Sequence, residues 1–317
     1  MDNKRCLLCL SPLHDGVSEY HDACSRSFFG TVTPPLLDYS FAEMESLAKA
    51  VVSHHIAVTG VQPKLSLSLM DETLKKAGKK RLTVVGALGG NYIVKPPSTH
   101  FLELPANEHL TMKMADLLGI QTVPCSLIRL NSGELTYITK RIDRSDTGEK
   151  IHMLDMYQIT DAVDKYKGSM ERVGKAIAEF STNTLMDKLR YFEIVIFSFL
   201  TGNNDMHLKN FSLIATPGGW VLSPAYDLLN VSLANPKDTE EMALTIEGKK
   251  RRLTRKLFDR FAVGLGLNAK QKEAVYGRFY DHRAEAETLI AQSFLTSESK
   301  EKYLSIFQAR YKKLGLM

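Results

Sequence analysis

Thr201-Gly-Asn-Asn-Asp-Met-His-Leu-Lys-Asn210 is a polar stretch set between two apolar ones. Residues 191–200, before it, form a long apolar run that reads as a buried helix. Residues 211–215, after it, are β-branched and aromatic and read as a strand. Asp205 and Asn210 therefore share one short loop between a helix and a strand. Phosphoryl transfer needs that pairing: a carboxylate to orient and deprotonate a hydroxyl, and a side-chain carbonyl nearby to hold Mg2+. A third group should arrive from the next hairpin. After Asn210 the chain offers that strand, a Pro217-Gly218-Gly219 turn, a second strand over residues 220–222, and Ser223-Pro-Ala-Tyr-Asp227. Asp227 is in register to be the second metal ligand.

Asp-x-x-x-x-Asn followed two strands later by Asp is the spacing of a protein-kinase catalytic loop and its metal-binding Asp. A lone Asp-x-x-x-x-Asn is common by chance and would read as an ordinary helix-to-strand loop. The downstream Asp227 moves the balance to phosphotransfer.

Composition permits such an enzyme. A chain of 317 residues, 44% hydrophobic, can bury a large core, most simply as two lobes of unequal size. A net charge of +5 suits an anionic ligand such as ATP and is too mild to argue nucleic-acid binding alone. Met1-Asp-Asn-Lys-Arg-Cys has no apolar signal core, and the most apolar stretch, residues 194–200, is too short to cross a membrane. The expectation is a cytoplasmic protein with no membrane partner. Three segments are expected: a small Cys/His-containing element over residues 1–35, a small nucleotide-binding lobe over 36–144, and a helical large lobe over 145–317.

In the first segment, Cys6-x-x-Cys9 and His21-x-x-Cys24 place three of the chain's four cysteines and a histidine close together in sequence. The spacing makes Cys6, Cys9, His21 and Cys24 candidate ligands of a structural Zn2+ stapling a small β element. Two alternatives stay open: reduced cysteines that simply pack, and a His21 that only caps the following turn. A cytosolic disulfide fits least well.

The small lobe opens with Ser40-x-x-Glu43, a capping box for a helix through about Ser53. Ile56-Ala-Val-Thr-Gly-Val-Gln-Pro-Lys64 and the alternating Leu65-Ser-Leu-Ser-Leu69 then read as strand, glycine turn and strand, where a kinase lays a loop over the phosphates. Thr59, Gly60, Gln62 and Lys64 are the candidate nucleotide contacts of that loop, although it has one glycine where protein kinases have three. Residues 75–81 read as a solvated hairpin tip, and a strand pair is expected around Gly86-Ala-Leu-Gly-Gly90, ending in Asn91-Tyr-Ile-Val-Lys95. Lys95 is a candidate phosphate ligand, and Glu108, on a helix running to Leu118, is its candidate partner. A hairpin over Asn131-Ser-Gly133 leads to Arg141-Ile-Asp-Arg144, a candidate inter-lobe hinge.

Together these motifs resemble the HipA-type serine/threonine kinases, toxins of bacterial toxin–antitoxin modules. The resemblance rests on Val58-Thr-Gly-Val-Gln-Pro-Lys64, Tyr92-Ile-Val-Lys-Pro96, Asn107-Glu108, Thr139-Lys-Arg-Ile-Asp-Arg144, His152-Met-Leu-Asp155, Asn204-Asp-Met-His-Leu-Lys-Asn-Phe211 and Pro224-Ala-Tyr-Asp-Leu228. It implies an α+β, two-lobed, PI3/4-kinase-like fold with a β-rich small lobe and a mostly helical large lobe. It implies ATP and Mg2+, with Asp205 as base, Asn210 and Asp227 as metal ligands, Lys95 as phosphate ligand and His207 as a supporting loop residue. It also implies autophosphorylation in the glycine-rich loop, for which Thr59 offers the hydroxyl, and a substrate such as an aminoacyl-tRNA synthetase. The loop begins by residue 56, which is similar to the short HipT branch of three-gene modules. The expected partners are then a small companion protein matching the absent N-terminal subdomain and a helix-turn-helix antitoxin, with DNA reached only through the latter.

Two helices, over residues 170–182 and 186–201, should carry the catalytic loop. Further helices are expected over 255–265, 269–292 and 297–314, with Phe258, Phe261, Tyr276, Phe279 and Tyr303 in the core. Glu247-Gly-Lys-Lys-Arg-Arg252 reads as a solvated turn, with contact to an acidic partner, or to DNA when bound to a repressor, as its alternative. Two other functions compete with the protein kinase: a small-molecule phosphotransferase, which shares the same catalytic logic, and a non-catalytic component of a repressor complex.

Overall fold

The structure is a computed structural model that describes residues 4–14, 16, 19–54, 64–71, 80–84, 90–101, 103–145 and 147–317. The chain is α+β and divides into two compact units. One comprises Met1–His109, Val123–Glu149 and Gln292–Phe294; the other comprises Leu110–Thr122, Lys150–Ala291 and Leu295–Met317.

In the first unit the order is α1 (Asp22–Phe29), α2 (Phe41–His54), β1 (Leu65–Asp71), β2 (Lys80–Val84), β3 (Tyr92–Lys95), the start of α3 (Leu104–Leu117), β4 (Cys125–Arg129) and β5 (Leu135–Lys140). The strands form one antiparallel sheet ordered β2-β1-β3-β5-β4. The capping box is present: Ser40 N donates to Glu43 Oε2 (2.7 Å) and Glu43 N to Ser40 Oγ (3.3 Å). The β4–β5 hairpin closes over Asn131-Ser-Gly133 as its turn chemistry requires, with Gly133 N bonded to Leu130 O.

Three expectations for this unit are corrected. β2 and β3 are not a pair, because β1 lies between them and bonds both. Gly90 allows the incoming chain to pass tightly against β1, since a Cβ there would stand 2.4 Å from Leu67 O. Lys80 and Arg81 belong to β2 and not to a hairpin tip, and Arg81 pairs with Asp38. The N-terminal element holds a helix, α1, as well as its β bridge Arg5–Pro12.

In the second unit β6 (Met153–Asp155), β7 (Ser212–Thr216) and β8 (Gly219–Leu222) make an antiparallel sheet. Around it come α4 (Met156–Ile159), α5 (Met170–Phe180), α6 (Thr184–Leu200), α7 (Val231–Ala234), α8 (Arg255–Gly264), α9 (Ala269–Asp281), α10 (Arg283–Gln292) and α11 (Ser297–Lys313). α6 is the axis of this core, with every residue from Tyr191 to Leu200 buried, which explains why that stretch is apolar apart from Glu193 and Ser198. Phe258, Phe261, Tyr276, Phe279 and Tyr303 are buried as expected. The single helix expected over 269–292 is two. The backbone at His282 (φ −94°, ψ 11°) leaves helical values, and no Gly or Pro in the sequence marks the break. Among the described residues no helix is long and apolar enough to cross a membrane.

Candidate active site

The loop after α6 is built by its neighbours. Gly202, at φ +70°, turns the chain out of the helix where a Cβ would stand 2.9 Å from Ile306 Cγ2 and 3.0 Å from Asn230 Oδ1. Ser232 N then bonds Gly202 O (3.0 Å). Asn203 and Asn204 are buried; Asn203 Oδ1 accepts from Asp205 N (3.3 Å), and Asn204 Nδ2 donates to Glu240 O (3.1 Å). Met206 and Leu208 anchor the loop in the core, and a single 3-10 turn, Leu208–Asn210, closes it.

Asp205 and Asn210 come together. Asn210 Nδ2 donates to the backbone O of Asp205 (3.2 Å), so its amide oxygen is presented on the other side of the group. Asn210 N bonds His207 O (2.9 Å), and His207 N bonds Asp205 O (2.8 Å). His207 is buried, its ring edge-on to Tyr166 at 5.1 Å between centroids. Tyr166 Oη donates to Asp205 Oδ1 (2.9 Å). Burial pushes the Asp205 carboxyl above its ordinary value; the Tyr166 hydroxyl and Lys165 oppose that rise, while Asp227 and Asp238 add to it.

Asp227 follows β8 with φ +61°, the left-handed region that Asp adopts more readily than most residues. The segment before it is tied down. Tyr226 Oη bonds Ser212 Oγ (2.5 Å) and Lys209 O (2.9 Å), and Ala225 N bonds Gln121 O (2.8 Å). Asn210 and Asp227 carry an amide oxygen and a carboxylate, the kind of hard oxygen donor that Mg2+ takes.

In the first unit, Lys95 Nζ and Glu108 Oε1 lie 2.6 Å apart, with side-chain exposures of 5% and 1%. At that burial a lone ammonium would be costly to hold, and the carboxylate on α3 offsets the cost. Lys95 also stands 5.4 Å from the Tyr137 ring centroid. Lys64 is exposed just ahead of β1. Thr59, Gly60 and Gln62 lie outside the described residues.

Three participants were not evident from sequence. Tyr166 and Lys165 come from the segment between α4 and α5, where Leu208 N also bonds Lys165 O (3.2 Å). Asp238 comes from the polar residues 235–241. No local pattern links any of them to the loop. The mostly polar stretch at 235–241 was the only signal, and a polar stretch alone does not point to a site.

The Cys/His cluster also assembles: Cys6, Cys9, His21 and Cys24 each place one donor atom within 4.8 Å of all the others. His21 is the N-cap of α1 but makes no side-chain capping bond, so the cap reading does not describe its ring.

The HipA-like C-terminal domain profile matches residues 56–288. A putative kinase of Haemophilus influenzae is 28% identical over 248 residues, 72% of this chain and 68% of that protein. The putative kinase Y4dM of Sinorhizobium fredii is 34% identical over 192 residues, 55% of this chain and 44% of that protein. The serine/threonine-protein kinase toxin HipA of Shewanella oneidensis is 27% identical over 212 residues, 61% of this chain and 47% of that protein. The chain thus spans about half the length of the last two relatives. Among solved structures, Shewanella oneidensis HipA, in complex with HipB and operator DNA, superposes with a TM-score of 0.66 at 24% identity, covering 82% of this chain and 65% of that one. The Helicobacter pylori proinflammatory kinase CtkA superposes with a TM-score of 0.53 at 16% identity, covering 70% and 87%. The chain belongs to the HipA-like C-terminal domain family, is a kinase by relatedness, and shares its fold with the HipA and CtkA structures.

Proposed function

We propose that the chain is an ATP- and Mg2+-dependent serine/threonine protein kinase, the toxin of a bacterial toxin–antitoxin module, acting in the cytoplasm on a translation enzyme such as an aminoacyl-tRNA synthetase. The observation that carries this reading is the arrangement around Asp205: a half-buried carboxylate with its loop pinned by Asn210 and a second carboxylate, Asp227, acting on it. In this reading Asp205 accepts the proton of a serine or threonine hydroxyl as the hydroxyl oxygen bonds to the γ-phosphorus. The bond from that phosphorus to the ADP oxygen breaks, and ADP leaves. Asn210 and Asp227 would hold Mg2+, which when bound neutralises charge on the phosphates. Lys95, held by Glu108, contacts the phosphates, and His207 keeps the loop in shape.

Thr59, Gly60, Gln62 and Lys64 would close over the nucleotide, and Thr59 would be the autophosphorylation site. A phosphate there brings nearly two negative charges to a site that attracts phosphates, so activity should fall. Mass spectrometry after incubation with Mg2+-ATP checks this, and phosphate at Ser66 or Ser68 alone would remove Thr59 from the scheme.

The partners proposed are a helix-turn-helix antitoxin and, by likeness to the HipT branch, a small companion protein; co-purification from the native operon reads both. The substrate class is tested with γ-labelled ATP against a panel of purified synthetases and small alcohols. Label on one synthetase, dependent on Asp205, is the expected result. Label on alcohols alone would make the enzyme a small-molecule phosphotransferase.

A further inference from the structure

Two local turns bring Cys6, Cys9, His21 and Cys24 to one point. In the first, Leu10 N bonds Cys6 O and Cys6 N bonds Ser11 O, both at 3.0 Å, and Leu10 reverses the chain at φ +64°. That knuckle directs Cys6 and Cys9 to the same side. In the second, His21 and Cys24 stand at the N-cap and in the first turn of α1, where residues three apart share a face. His21 Nδ1 lies 3.5 Å from Cys9 Sγ and 3.7 Å from Cys24 Sγ. A tetrahedral ion with bonds of about 2.0–2.3 Å holds its ligands roughly 3.5–3.8 Å apart, so these spacings leave room for a metal.

The other face of the imidazole fixes its tautomer. His21 Nε2 lies 3.0 Å from Pro12 O; a carbonyl can only accept, so Nε2 carries a proton, and in the neutral ring the Nδ1 lone pair faces the sulfurs. Metal-bound histidines are oriented in this way, by a carbonyl behind the ring.

We propose that these side chains bind one structural Zn2+. Three thiolates and an imidazole select a borderline-soft ion over Mg2+ or Ca2+. With every tetrahedral position taken by protein, no coordination site is left for a substrate, so the ion is a staple and not a catalyst. What it staples can be read from the bonds around it. Leu7, inside the knuckle, accepts through its carbonyl from Leu127 N (3.0 Å) and Ser126 Oγ (3.1 Å) on β4. The Leu8 carbonyl accepts from His109 Nε2 (3.1 Å), the residue after Glu108 on α3. Phe28 and Phe29, at the end of α1, stand 5.9 and 6.2 Å from Tyr92, the first residue of the strand that ends at Lys95. The ion would therefore brace the strand and the helix that carry the Lys95–Glu108 pair. Its existence does not depend on the phosphotransfer reading.

The test is metal content and spectroscopy on the full chain. Protein grown with zinc and purified without chelator should contain about one Zn2+ per chain. After exchange with Co2+ it should show the visible bands of a tetrahedral ion and thiolate-to-metal charge transfer. Cys9→Ser should lose the metal and those bands, whereas His14→Ala, an exposed histidine outside the cluster, should keep both. Chelation should also lower the thermal midpoint of the first unit. If Cys9→Ser does not fold, the Co2+ spectrum of the unaltered chain decides alone. A folded, metal-free protein without tetrahedral bands, or metal retained in Cys9→Ser, overturns the assignment.

Discussion

At the scale of the residue, Asp205 has to be ionised to accept a proton, and its surroundings work against that. Burial raises its pKa, with Asp227 and Asp238 adding to the rise. The rate should therefore fall as pH drops through a value above the ordinary 3.8 of an aspartate, because the protonated acid cannot act as base. Tyr166→Phe removes a hydrogen bond to the ionised carboxylate and should move that acidic limb to still higher pH. A pH–rate profile of the two proteins checks the direction; an unmoved limb would show that Tyr166 does not act on the titrating group. Asp227→Ala should weaken nucleotide binding in the presence of Mg2+ and change it little in its absence, measured by calorimetry with and without the ion. The placement of Asp205 and Asn210 on one loop, with Asp227 after the next hairpin, was legible in the sequence because it depends on local spacing. Tyr166 was not, since it reaches Asp205 from 39 residues away, and a lone tyrosine in a polar segment carries no period.

Between the residue and the molecule, the elements place those side chains, and one buried carboxylate joins two of them. Asp187, in the first turn of α6 and fully buried, accepts from Ser181 Oγ (2.6 Å) and from Leu222 N (2.7 Å) at the end of β8. It thus ties the helix that ends at the Asp205 loop to the hairpin that leads to Asp227. Asp187→Ala strands both donors and should cost on the order of 2–4 kcal/mol, read as a lower thermal midpoint. Loss of only a few tenths would mean that water takes over both bonds. Gly202→Ala should also destabilise, by at least about 1 kcal/mol, because the turn needs a positive φ and the Cβ would meet Ile306. Element existence was readable where a period or a cap is local. The alternation of Leu65, Leu67 and Leu69 marked β1, and Ser40 with Glu43 marked α2. Pairing was not readable, because β1 bonds β3 and β2 on its two edges through contacts that no local pattern encodes. The break at His282 left no Gly or Pro to announce it.

For the whole molecule, the kinase fold follows from motifs spread through the chain in order, and the family match over residues 56–288 takes in the Lys95–Glu108 pair, Asp205, Asn210 and Asp227 together. The N-terminal cluster stands outside that match. The cluster lies in the unit that holds the Lys95–Glu108 pair, and Asp205 lies in the other. Cys9→Ser should remove metal while leaving Asp205 and its loop intact, since those belong to the other unit. The central claim is that Asp205 is the base of a phosphotransferase. Its most direct test is single-turnover transfer of labelled γ-phosphate by Asp205→Ala, with folding followed by circular dichroism and nucleotide affinity by calorimetry. The account predicts a rate lower by about 10²–10⁴ with the fold and ATP affinity retained. A folded variant that keeps most of the unaltered rate would contradict it.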